Sequence, residues 1–125
     1  MLQILIIGLG GFIGTIARYG VSILAYRYAG ATFPFGTLTV NLVGCFLIGI
    51  VYSLIQERGL LSTSSRLFLT VGVFGGFTTF SSFGNETLLL MRAGSPLLGL
   101  LYVLVSVLLG VLAVWGGYAV VVRGG

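Results

Sequence analysis

Four apolar runs, at about residues 2–28, 35–56, 65–91 and 96–122, decide most of what this chain can become. Each is near or above the ~20 residues a helix needs to cross about 30 Å of hydrocarbon. Only 6% of the residues are charged and 58% are hydrophobic, whereas a soluble domain carries about 25% charged residues. At 125 residues a water-soluble fold could not hide that much apolar surface. The bilayer is therefore the solvent. A single-domain, all-α membrane protein with four transmembrane helices is expected.

The punctuation between the runs fits this division. Tyr26-Arg27-Tyr28 closes the first run with an aromatic and basic interfacial anchor. Pro34 suits the start of the second helix, and the Ser62-Thr-Ser64 cluster suits the start of the third. Arg92-Ala-Gly-Ser95 reads as a tight turn before Pro96 opens the fourth. The N-terminal run lacks a charged leader, so a retained span is expected rather than a cleaved signal.

All six basic residues are arginines, and apart from Arg18 they lie near the ends of the runs. With four spans, Arg58, Arg66 and Arg123 fall on one side of the membrane, and Arg27 and Arg92 on the other. Orientation follows an excess of Lys and Arg in cytoplasmic loops. A bias of one is nearly none, so insertion in both orientations is expected, which makes an antiparallel homodimer available. The 21 glycines, with small-x-x-x-small spacings at Gly10/Gly14 and Gly72/Gly76, favour close helix packing without naming the partner helix.

Several function classes fall away. There is no histidine, Cys45 is the only cysteine, and Glu57 and Glu86 are the only acids. Acid–base catalysis and a metal cluster have almost no material, so no enzyme is expected. The arginines are scattered singly, which argues against nucleic acid. Gly8-Leu-Gly-Gly-Phe-Ile-Gly14 imitates a dinucleotide fingerprint, but the acid expected about 20 residues later is missing.

The residues with chemistry sit at membrane depth. The third run contains Gly72-Val-Phe-Gly-Gly-Phe-Thr-Thr-Phe-Ser-Ser-Phe-Gly-Asn-Glu86, its most polar and glycine-rich part. A helix break is expected near Gly75-Gly76, tolerable only where it is buried in protein or lines a wet cavity. Phe74, Phe77, Phe80 and Phe83 recur every third residue, as one helical stripe would. Aromatic rings have a positive edge, so ring edges can line an anion path without a charge that traps the ion. Arg18 lies inside the first run, where a cation either draws an anion or snorkels to the interface. Asn41, with Thr37 one turn earlier on the same face, offers amide donors or simple interhelical glue. Tyr102, Ser106 and Gly110 share one face of the fourth run.

Gly75-Gly-Phe-Thr-Thr-Phe-Ser-Ser-Phe83, Asn41-Leu-Val-Gly44 and Gly10-Gly-Phe-Ile-Gly-Thr-Ile-Ala-Arg18, in a four-span chain, resemble the small fluoride channel family (Fluc, CrcB-like) over essentially the whole length. The resemblance implies an antiparallel homodimer in the bacterial inner membrane that passively and selectively exports fluoride and relieves its toxicity. It implies that Phe80 and Phe83 face fluoride and that Asn41 donates to it, with Arg18 drawing anions into a vestibule. Thr39, Ser81 and Ser82 would form a polar track, and Tyr102 and Ser106 would add fourth-helix hydroxyls. Gly75 and Thr78 would give backbone carbonyls to a structural Na+ shared at the dimer centre. Cys45 stands where a serine is usual in the family, and Gly110 where some members have a second serine in the fourth helix. The rivals are a fluoride/proton antiporter, in which Glu86 would titrate, and a multidrug-type four-helix exporter. The latter needs an acid in its first helix, and this one has none.

Overall fold

The structure is a computed structural model and describes residues 1–124. It contains four helical spans, as the hydropathy requires: α1 (Leu2–Ala29), α2 (Phe35–Arg58), a composite third span, and α6 (Pro96–Arg123). The third span starts as one turn, α3 (Thr63–Arg66), and continues as a π-helical segment, Leu67–Val73. It then runs through α4 (Phe74–Phe77) and, after an interruption, α5 (Phe80–Arg92). α2 ends where Gly59 turns left-handed at φ 58°, with Leu60 N–H returning to Leu54 O at 3.3 Å. That is the glycine stop expected of a helix C-terminus.

The break does not fall at the glycines. Gly75 and Gly76 are helical, and the chain is extended only at Thr78 (φ −85°, ψ 158°) and Thr79 (φ −151°, ψ 117°). The reason is close packing. A Cβ on Gly76 would stand 2.5 Å from Gly11 O, so the missing side chain is used to let α1 approach. The β-branched threonines are at ease in extended geometry, and Thr79 Oγ1 caps α5 by accepting from Ser82 N–H at 3.2 Å. The break also cuts the phenylalanine stripe in two. Phe74 and Phe77 are buried on one side of it, while on the other Phe83 is half-buried and Phe80 exposed.

The two glycine spacings find each other within one chain. A Cβ on Gly10 would lie 2.6 Å from Phe68 O, one on Gly72 would lie 2.9 Å from Ile7 O, and one on Gly14 would run into Val73 O. α1 therefore packs along the π segment and α4, while α6 packs along α2. Beyond the break, α5 packs on α6. The interruption lets the third span change neighbours halfway across the membrane. Few large side chains are buried (Val40, Val51, Phe74, Phe77 and Tyr102), and many leucines, isoleucines and valines face outward, as hydrocarbon permits.

Gly14→Ala should lower stability by roughly 1–3 kcal/mol, since overpacking a tight seam forces backbone shifts. A lower unfolding midpoint in detergent, beside an unchanged Gly8→Ala control (nothing lies within 4 Å of a Cβ at Gly8), would show it.

Candidate functional site: the break in the third span

A helix interrupted at membrane depth leaves backbone groups that need partners. Here three helices supply them. Asn41, on α2, donates from Nδ2 to Thr79 O at 3.0 Å and accepts from Thr79 N–H at Oδ1 at 2.8 Å. Its amide thus accepts the N–H that has lost its helical partner and adds a second donor to Thr79 O, the N-cap carbonyl of α5. Arg18, on α1, donates from Nη1 to Thr78 O at 3.2 Å. Thr78 N–H and Oγ1–H both go to Phe74 O, at 2.9 and 2.8 Å. Of the two readings open for Arg18, the structure shows the guanidinium turned inward onto the break. Among the described residues it has no carboxylate ion-pair partner, and its other donors are left for the cavity it lines.

Two cavities flank the break. One, of about 360 Å³, gathers Asn41, Gly75, Thr78, Phe80, Phe83 and Ser106, with Thr79 and Cys45 in the same wall. Ser106 Oγ is buried and has no hydrogen-bond partner among the described residues. The second, of about 370 Å³, gathers Arg18, Ser81 and Ser82 with Thr37 and Glu86. Thr79 lines both, so the break is the partition between them. The first is walled by rings and neutral polar groups, the second by hydroxyls and one charge of each sign. An anion leaving the arginine side would meet only uncharged donors and ring edges on the other.

Tyr102 is fully buried and reaches from α6 to Glu86, its hydroxyl donating to Oε2 at 2.8 Å. Thr37 Oγ1–H donates to the other oxygen, Oε1, at 2.6 Å. Glu86 is thus held by two hydroxyls from two other helices. It was not among the residues expected in the site, although a carboxylate inside a span is a functional signal by itself.

Thr39 is placed differently from the rest. It is exposed and lines neither cavity, because two residues along a helix turn a side chain by about 200°. The α2 threonine that meets the site is Thr37, one turn before Asn41. Cys45 and Gly110 face each other: a Cβ on Gly110 would stand 3.6 Å from Cys45 Sγ. The thiol occupies room that a second fourth-helix side chain would share.

A hard cation is coordinated by oxygens, and the break frees several at the end of α4, Gly75 O among them. The N–H that would bond Gly75 O in a continuous helix is that of Thr79, which goes to Asn41 instead. Gly75 is exposed and fits such a role. Thr78 O already accepts from Arg18, so it has one lone pair to offer.

Four spans around a ring- and hydroxyl-lined break define a small multi-pass membrane protein. Comparison with known proteins places it more closely. Residues 5–118 match the family described as CrcB-like protein, Camphor Resistance (CrcB), and the chain belongs to that family. It is 44% identical over 119 residues, 95% of each chain, to a protein of Agrobacterium fabrum named fluoride-specific ion channel FluC. Proteins of the same name from Parabacteroides distasonis and Methylobacillus flagellatus are 47% and 41% identical over 117 and 122 residues, covering at least 91% of each chain.

Proposed function

We propose that this chain is a fluoride-selective channel that lets cytoplasmic fluoride leave down its electrochemical gradient, working as an antiparallel homodimer in the bacterial inner membrane. The observation that carries the reading is the break itself, where Asn41, the threonine backbone and two phenylalanines meet in one cavity, in a chain whose relatives are named as fluoride channels. Fluoride is small and strongly hydrated. A pore for it must replace water by donors while holding the ion weakly enough to release it.

The residues divide that task. Arg18 offsets the Glu86 carboxylate in the hydroxyl-lined cavity and offers an anion its remaining N–H donors, where Ser81 and Ser82 begin to replace water. The second N–H of Asn41 Nδ2, Ser106 Oγ–H and the edges of Phe80 and Phe83 continue the replacement without a fixed positive charge. Phe80 is 83% exposed in the protomer, which supports a partner copy covering it. The exposure of Gly75 supports the same face as the dimer centre. There the carbonyls of Gly75 and Thr78 from both copies would hold a structural Na+, which supplies positive charge to tie the two breaks together.

Purified protein in vesicles tests the reading. Fluoride efflux should follow the fluoride gradient and membrane potential and be unchanged by an imposed proton gradient; steep dependence on that gradient would favour antiport instead. The sodium assignment has its own test. A methyl on Gly75 meets nothing nearer than Thr70 O at 3.9 Å, so Gly75→Ala should leave the protomer intact while weakening sodium-dependent dimer stability. Undiminished sodium dependence would count against those carbonyls.

A further inference from the structure

The ring series does not stop at Phe83. Phe80 and Phe83 have centroids 5.5 Å apart, and Phe83 meets Tyr102 at 5.2 Å. On its other side, Tyr102 meets Phe33 at 5.3 Å with the planes at 79°, an edge-to-face contact. Phe33 belongs to none of the helices. It sits in the connection between α1 and α2, lining an outer cavity of about 450 Å³ that also includes Thr37 and Glu86.

A loop residue in such a place needs something to fix it, and the chain provides it. Pro34 has φ −77° and ψ 61°, and Phe35 N–H donates to Phe33 O at 2.8 Å. This is an inverse γ-turn, with its φ already set by the proline ring. It also brings the Phe33 and Phe35 rings to 4.8 Å. Tyr102 is thereby clamped between a ring from α5 and a ring from a locked turn, with its hydroxyl on Glu86 at 2.8 Å.

We propose that Phe33 is a positioning residue of the fluoride path: the Phe33-Pro34-Phe35 turn presses one ring against Tyr102 and so holds its hydroxyl on Glu86. The proposal rests on the channel reading above. Edge-to-face pairs have a geometric preference that an aliphatic side chain does not reproduce. Leucine would fill much of the space but leave Tyr102 free to tilt.

Fluoride efflux from vesicles carrying each variant tests this. Phe33→Leu should slow efflux about fivefold, in the range an aromatic pair governs, while Phe33→Tyr stays within about a factor of two of the parent. In a Tyr102→Phe background, Phe33→Leu should add no further loss, because the residue acts through that hydroxyl; a structural role would slow both backgrounds alike. Pro34→Ala keeps both rings and loosens only the turn, and should slow efflux about twofold, so the idea stays testable if Phe33→Leu does not assemble. Equal efflux in the parent, Phe33→Leu and Pro34→Ala, or additive losses in the double variant, would overturn it. Absence of fluoride efflux from the parent would instead overturn the channel reading.

Discussion

Asn41→Asp should abolish fluoride efflux and also weaken the fold. The amide now satisfies Thr79 from both sides, donating at 3.0 Å and accepting at 2.8 Å. An aspartate keeps the acceptor but turns an anionic oxygen towards Thr79 O, which loses that donor. Thr79 O keeps its intrahelical bond as the N-cap carbonyl of α5, so the cost is that of one lost hydrogen bond, about 0.5–1.5 kcal/mol, plus the repulsion of an anionic oxygen set against it. The functional loss is separate, because the same substitution replaces a pore donor by an anion beside the path of an anion. Efflux should fall to the level of empty vesicles, and the unfolding midpoint should drop. Asn41→Ser separates the two effects: it retains a donor but spans less distance, and should conduct weakly while the break is loosened. Normal conduction by Asn41→Asp would remove the amide from the pore account.

Phe80→Ile and Phe83→Ile should each slow efflux at least about a hundredfold, equivalent to ~2.7 kcal/mol in barrier height. Their structural consequences should differ. Phe80 is 83% exposed in the protomer, so its loss leaves protomer packing almost unchanged and removes only a ring from the path. Phe83 touches both Phe80 and Tyr102, so its loss also loosens the clamp on the Tyr102 hydroxyl. The dimer should persist in Phe80→Ile by cross-linking or size-exclusion chromatography while efflux is lost. Efflux at parental rates in both variants would mean that the rings are packing and not pore.

The spans were readable from the sequence because bilayer thickness imposes a length that hydropathy alone reveals. That the third span is broken was readable too, but its position was not. Gly75-Gly76 looks like a weak point until α1 is in place, and then Gly76 is required to stay helical and without a side chain so that Gly11 can approach. The partner of each glycine spacing was equally hidden, since Gly10 and Gly72 become neighbours only through the fold. In the site, Asn41, Arg18 and Ser106 stand out as polar residues inside apolar runs, and Phe80 and Phe83 as aromatic residues at a regular spacing. The pairing of Thr37 with Glu86 needed the tertiary arrangement, because it joins α2 and α5 across 49 residues. Phe33 carried no signal at all. It lies in a loop, and only the turn at Pro34 brings it to Tyr102.

Vesicles bearing only this polypeptide, loaded with both halides and read in parallel by fluoride- and chloride-sensing electrodes, test the central claim most directly. The account predicts rapid loss of fluoride with chloride retained. Chloride leaving as fast as fluoride, or neither ion leaving, would contradict it.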